Sequence, residues 1–240
     1  TAVDLLESLG APAYKIASFE LVDLPLIRYV ARTGKPIIVS TGLASVAEIG
    51  EAIQCARDSG CRELVVLHCV SGYPALAADY NLRTIPDLAQ RFNVISGLSD
   101  HTIDNATAVA SVALGACVIE KHFTLDRGGG GPDDSFSLEP ADLAALCRDA
   151  RTAWTALGRA HYDRKGSEAA NVVLRRSLYA VKDIKAGELF TAANVRSIRP
   201  GHGLPPKAYD QVVGKKAARD LPFGTALSWD VIASQRQTGS

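Results

Sequence analysis

The chain has 240 residues, 47% of them apolar and 22% charged, with 26 basic side chains set against 26 acidic ones for a formal net charge of zero. That composition belongs to an ordinary globular protein of one large domain, or a medium and a small one, and it excludes the broad basic surface that nucleic acid would demand. Apolar runs are interrupted well short of membrane-spanning length, so no membrane partner is expected. The cysteines (Cys55, Cys61, Cys69, Cys117 and Cys147) are odd in number and form no CxxC pair. With no secretory-type start, they read as reduced, mostly buried thiols in a cytoplasmic protein.

Residues 1–10, TAVDLLESLG, carry an amphipathic helical pattern with no strand before it, as in the interior of a βα repeat. From there, apolar strands and helical stretches alternate every roughly 23 to 30 residues, the rhythm of βα units. YKIAS (Tyr14 to Ser18) is the first strand, and a helix follows over Leu24 to Thr33, where Pro25 suits a first turn. PIIVSTG (Pro36 to Gly42) is the second strand, and Ser45 starts the next helix. ELVVLHC (Glu63 to Cys69) is the third, followed by a longer loop and a helix over Arg83 to Phe92. Near-continuous apolar runs of this kind suit strands covered on both faces.

The stretch Val94 to Phe123 concentrates the chemistry. VISGLS ends in Ser99-Asp100-His101, and CVIEKHF contains Glu120-Lys121-His122. The intervening TIDNATAVASVALGA is helical, with Asp104 or Asn105 as N-cap and Gly115 near its end. Strand, crossover helix and strand make the two strands parallel neighbours, so both histidines reach the carboxyl-end rim, where α/β folds bind ligands. Two imidazoles there could hold one divalent metal, or they are polar strand-end residues making unrelated hydrogen bonds. Other strand ends are polar too: Ser18-Phe19-Glu20, Ser40-Thr41-Gly42 and Ser71-Gly72-Tyr73. Such a rim suits a (β/α)8 barrel, with an open doubly wound sheet as the alternative.

The loop TLDRGGGGPDDSFSLEP, residues 124–140, is too glycine-rich for regular structure and reads either as a loop that closes over a substrate or as a connector. Glu139-Pro140 opens a helix that ends at Gly158. Residues 1–158 therefore form the βα part, 159–173 a charged linker, and 174–240 a small, mostly β module divided by turns such as Lys185-Ala186-Gly187 and Pro222-Phe223-Gly224.

In order along the chain, YKIASFE, VSTG, LHCVSGYP, GLSDHT, IEKHFT and GGPDDSFSLEP resemble the sialic acid synthases, which condense phosphoenolpyruvate with an N-acetylated amino sugar. The tail, from SLYAVKDIKAGE through RPGHGL to VGKKAARDLPFGT, resembles their C-terminal antifreeze-like (SAF) domain. YKIASFE and PDDSFSLEP are more similar to the pseudaminic acid synthase branch than to the N-acetylneuraminate branch. The resemblance implies an α/β fold, a partial (β/α)8 TIM barrel holding strands four to eight, followed by a small β-rich SAF domain. In the family, strands one to three bring a glutamate and a lysine of the active site, so this chain by itself is expected to be incomplete and inactive.

The resemblance also implies roles. Lys15, Ser18, Ser40 and Ser99 match positions that hold the phosphate and carboxylate of phosphoenolpyruvate, as suits an ammonium and hydroxyls at strand ends. His101 and His122 match the ligands of a divalent metal, manganese or magnesium, which would polarise the sugar aldehyde. Glu20 and Asp133 match carboxylates near the sugar and the attacking water, and Tyr73 matches a tyrosine of the substrate pocket. Ser71 falls at a substrate-binding position where the neuraminate branch has asparagine. Arg199, in the SAF domain, matches an arginine that reaches the sugar held by a second subunit, which implies a domain-swapped homodimer. His68 reads as a core histidine, and His161 and His202 as surface ones.

The implied reaction is attack by C3 of phosphoenolpyruvate on the aldehyde of the open-chain sugar. Water then adds at C2 and phosphate leaves by C–O cleavage, giving a nine-carbon 2-keto acid. Pseudaminic acid, from 2,4-diacetamido-2,4,6-trideoxy-altrose, is the expected product, with N-acetylneuraminate or legionaminate as alternatives. A reading from another class is a non-catalytic carbohydrate-binding pseudoenzyme that keeps the SAF module.

Overall fold

The computed structural model describes residues 1–233. They divide into two compact units, Thr1–Arg159 and a second beginning at Ala160. In the first, β1 (Tyr14–Ile16), β2 (Ile37–Ser40), β3 (Leu64–Cys69), β4 (Ile95–Asp100) and β5 (Ile119–Lys121) lie in chain order in one sheet, every pairing parallel. Each strand adds on the same side of the last. That is the order of a barrel wall; a doubly wound sheet reverses its order at a switch point, and none occurs here.

The strands are shorter than their apolar runs. The first stops at Ile16 because Ser18–Glu20 winds into a 3-10 turn, with Leu21 N donating back to Ser18 O. The fifth stops at Lys121, and beyond it Phe123 makes only a single parallel bridge to Leu138.

Local capping chemistry places the helices between strands. Thr1 and Asp4 form a capping box on α1 (Ala2–Ser8), and Ser45 with Glu48 does the same for α3 (Val46–Asp58). Asp23 accepts from Leu26 N at the start of α2 (Leu24–Ala31), whose first turn holds Pro25. α4 (Thr84–Phe92) ends on Asn93 in the left-handed conformation. At α5 (Ala106–Ala113), Asn105 occupies the cap position without a capping bond; Asp104 Oδ1 instead accepts from Ala106 N at 2.8 Å. Glu139 opens α6 (Pro140–Leu157).

These helices bury their apolar faces on the sheet. One cluster joins Ile16, Leu21, Ile27, Ile37, Ile53 and Val66, and another joins Tyr80, Ile85, Leu98, Leu138 and Leu146. Each such large side chain, fully buried, contributes about 1.5–3 kcal/mol. The cysteines are less buried than expected: Cys61 and Cys69 are buried, Cys55 is intermediate, and Cys117 and Cys147 are exposed, all as free thiols. The two exposed ones line one open hollow, Cys117 just before β5 and Cys147 on α6.

The second unit pairs β6 (Ser177–Ala180) antiparallel to β7 (Val195–Ile198) and adds isolated bridges and a short α7 (Tyr209–Val212). Leu178, Ile184, Phe190, Val195, Val212, Leu221 and Leu227 form its core. The charged stretch at the start of this unit contains a 3-10 helix over Gly166–Leu174. Residues 234–240, the end of the SAF stretch, lie outside the described residues. Among the described residues, no helix is long and apolar enough to cross a membrane.

Candidate active site

Parallel strands bring their carboxyl ends to one rim, and alternation along each strand decides which side chains share a face. Ser99 of β4 stands opposite Glu120 of β5, and Asp100 stands opposite Lys121. Ser99 and His101 therefore share a face with Glu120 and His122. Ser99 Oγ donates to Glu120 Oε1 at 2.8 Å, and Lys15 Nζ, from β1, lies 3.3 Å from the same oxygen. Glu120 was not among the expected site residues. A charged residue inside a strand of a two-sided parallel sheet was the available signal, because such positions are otherwise apolar.

The two imidazoles come together as their placement implied, with ring centroids 5.2 Å apart and planes at 66°. His101 is 5% exposed and is held on three sides. Its backbone N donates to Tyr80 Oη at 2.6 Å, its carbonyl accepts from Ala75 N at 3.0 Å, and its Nδ1 sits 2.8 Å from Val70 O. A carbonyl only accepts, so this contact puts a proton on Nδ1. Burial holds the His122 imidazole below its ordinary pKa, and the neighbouring His101 adds to that effect, while Asp133 and Glu120 oppose it. The neutral, ligating form is thereby favoured.

Tyr73 packs against both rings, 4.4 Å from His101 and 5.8 Å from His122, and buried Phe136 touches both His122 at 5.1 Å and Tyr73 at 5.8 Å. Burial pushes the Tyr73 hydroxyl above its usual pKa. Asp133 Oδ2 lies 3.5 Å from His122 Nδ1, with half of its side chain open to solvent. The glycine-rich loop carrying it is pinned rather than bare. Arg127 donates from its backbone N to Glu139 Oε1 at 2.9 Å, from Nε to Ser137 O at 2.8 Å and from Nη2 to Asp142 Oδ2 at 2.5 Å. Asp134 Oδ2 accepts from Gly131 N at 2.7 Å.

A second group lies at the ends of β1 to β3. Ser18 and Ser71 share a 2.8 Å hydrogen bond between their hydroxyls. Gly42 admits that approach, since a Cβ there would fall 2.1 Å from Ser71 Oγ and 3.1 Å from the Ser18 Cβ. Ser40, 1% exposed at the end of β2, has no hydrogen-bond partner for its hydroxyl. Unsatisfied buried hydroxyls are uncommon and suit a donor kept for an anion. Glu20 lies on the Ser18–Glu20 turn of the same rim, exposed, and makes no hydrogen bond or ion pair with the others. Arg199 belongs to the second unit, where it follows β7 and is exposed. His68 is half-buried, its Nε2 bonded to Tyr80 O, while His161 and His202 are exposed.

Among the described residues no group of three or more His, Cys, Asp or Glu side chains has the geometry of a metal cage. Two adjacent imidazoles, one favoured in its neutral form by burial and the other with Nδ1 engaged by a backbone carbonyl, fit a divalent cation that keeps its other positions for oxygen ligands.

Residues 1–162 match the NeuB family and residues 175–233 match the SAF domain. The chain is similar to the pseudaminic acid synthase of Campylobacter jejuni, with 44% identity over 225 residues covering 94% of this chain and 66% of that protein. It is also similar to the N,N'-diacetyllegionaminic acid synthase of the same species, with 41% identity covering 91% of this chain and 66% of that protein. The crystal structure of the spore coat polysaccharide biosynthesis protein SpsE from Bacillus subtilis matches with a TM-score of 0.63 and 34% identity, over 98% of this chain and 71% of that one. The chain thus spans 66% of the length of the two curated relatives.

Proposed function

Since the chain belongs to the NeuB family and carries an SAF domain, we propose that it supplies most of the catalytic rim of a synthase joining phosphoenolpyruvate to an N-acetylated amino sugar. The product is a nine-carbon 2-keto sugar acid, with pseudaminic acid first and legionaminic acid or N-acetylneuraminate as the alternatives. The observation that carries this reading is the meeting of Lys15, Ser99, Glu120, His101, His122 and Tyr73 on one rim. The likeness to a pseudaminic acid synthase over 94% of the chain supports the choice of product. The five strands are read as the fourth to eighth of a (β/α)8 barrel over residues 1–158, joined through 159–173 to the SAF domain at 174–240.

In this reading, the Lys15 ammonium and the hydroxyls of Ser18, Ser40 and Ser99 bind the phosphate and carboxylate of phosphoenolpyruvate, with the free Ser40 hydroxyl ready to donate. Glu120 orients Lys15 and Ser99 toward the anion. His101 and His122 hold manganese or magnesium, which when bound supplies Lewis-acid polarisation of the sugar aldehyde. Tyr73 and Phe136 shield that side of the rim from water, and Ser71 sits within reach of the sugar. Asp133 and Glu20, both open to solvent, orient sugar hydroxyls and take or give the proton of the attacking water. Exposed Arg199 contacts the sugar of a second subunit in a domain-swapped homodimer.

The test is a thiobarbituric acid assay for 2-keto acid with phosphoenolpyruvate and manganese. The sugar is 2,4-diacetamido-2,4,6-trideoxy-altrose or N-acetylmannosamine, and this chain runs beside a version extended to the length of its relatives. Product from the extended protein with the altrose sugar supports the reading. Sugar binding without any product, in a folded extended protein, would replace it with a non-catalytic binding protein.

A further inference from the structure

Asp100 and Lys121 are the last residues of β4 and β5, each directly before one of the two histidines, and they face each other across the ladder. Alternation turns them away from the Ser99–Glu120 face. Lys121 Nζ lies 3.0 Å from Asp100 Oδ2, with side chains 3% and 0% exposed. The same ammonium donates to Thr102 O at 2.6 Å and to Asp104 O at 2.8 Å, which uses all three of its protons. Asp100 in turn accepts from Thr102 N at 2.9 Å and from Thr102 Oγ1 at 3.0 Å. Every one of these contacts falls on residues 100–104, the segment that contains His101 and leads into α5.

A buried ion pair is poor value for stability alone, because the cost of removing both charges from water offsets their attraction. Its effect here is geometric. It ties the end of β5 to the loop after β4, and so ties the backbone of His122 to that of His101. Tyr80, Ala75 and Val70 hold His101 from the other side.

We propose that Lys121 and Asp100 are positioning residues: their buried pair locks two adjacent strand ends so that the His101 and His122 rings face a single divalent cation. The inference rests on the metal reading of those histidines given above. Neither residue touches the cation or the substrate; each acts through the histidine that follows it.

The experiment uses this chain with Lys121→Met and with the double variant Asp100→Asn/Lys121→Met. The second is needed because the single change leaves a buried carboxylate unpaired and threatens folding. Circular dichroism identifies the variants that fold. Two readouts follow: the nitrogen and proton resonances of the histidine rings without metal, and manganese(II) binding followed by electron paramagnetic resonance.

In the unsubstituted chain, His101 should show a single tautomer with a slowly exchanging Nδ1 proton. The folded variant should lose that signature to tautomer averaging, and its manganese affinity should fall by about 10- to 100-fold, the range for groups that orient a ligand from behind. A folded variant with the same ring signals and affinity within about twofold overturns the proposal. An unsubstituted chain that takes up no manganese removes the metal reading instead, and the ring signals then decide alone whether Lys121 and Asp100 position His101.

Discussion

Gly97, in the middle of β4, decides how closely the two histidine-bearing strands can lie. A Cβ at this position would meet Val118 O at 2.3 Å and Leu67 Cδ2 at 2.6 Å. In an unobstructed strand, alanine would be favoured over glycine by about 0.5–1 kcal/mol, because glycine gives up more backbone freedom on folding. Overlap works against that preference. The Leu67 methyl can turn aside, but Val118 O is backbone and already accepts Leu98 N at 2.9 Å. Bringing that oxygen out to ordinary contact, 3.4 Å or more from the new Cβ, means a backbone retreat and the loss of the Leu98 bond. Overpacking costs about 1–3 kcal/mol and the hydrogen bond about 1 kcal/mol. Set against the glycine preference, Gly97→Ala should destabilise the first unit by about 2 kcal/mol. Hydrogen exchange on peptides spanning residues 94–123 measures it, with the second unit as an internal control. Protection of the Leu98 amide should fall by one to two orders of magnitude, as about 1.4 kcal/mol corresponds to a factor of ten. Unchanged or increased protection would refute the reasoning, since β5 would then have yielded without cost. The retreat also moves Glu120 and His122 away from Ser99 and His101, so manganese uptake should weaken in the same variant.

The pH dependence has a definite sign. Burial is the leading cause that holds both His68 and His122 below the ordinary 6.5. The unfolded chain then binds protons first, so the first unit keeps its full stability above about pH 6.5 and loses it as the pH falls through the folded-state values. His68→Gln should flatten part of that slope, and proton resonances of either ring titrating at or above 6.5 would contradict the assignment for that residue. Arg127→Met should loosen the glycine-rich loop by about 1–2 kcal/mol, discounted for its partial exposure. The readout is hydrogen exchange over residues 124–138, expected to speed up roughly tenfold, and no change would mean that the bonds from Gly128 N to Asp126 Oδ1 and from Gly131 N to Asp134 Oδ2 suffice to hold the loop.

Much of the architecture is legible one neighbourhood at a time. Caps such as Ser45 with Glu48 and Asp23 with Pro25 announce helices from adjacent residues, because the groups they satisfy are only a few residues away. Apolar runs separated by such helices imply parallel strands, and that topology alone places His101 and His122 on one rim. Of the two caps expected for α5, Asp104 makes the bond and Asn105 occupies the cap position. Local reading slips at the strand edges, where the Cys117 to Phe123 run is ladder only from Ile119 to Lys121. Exposure of Cys117 and Cys147 likewise depends on which faces find a neighbour.

Contacts between distant segments belong to the tertiary structure. Glu120 becomes the partner of Ser99 and Lys15 only because three strands meet at one rim in one register. The burial of Lys121 depends on Asp100 arriving directly opposite with two loop carbonyls beside it. The proton on His101 Nδ1 is held by Val70 O, from the strand end next door. Residue types and their spacing by themselves determined the elements, their order and the kind of chemistry available. Folding alone decided which charges face each other, because strand register is settled by the packing of the whole sheet and a shift of one residue would send every one of these side chains to the opposite face.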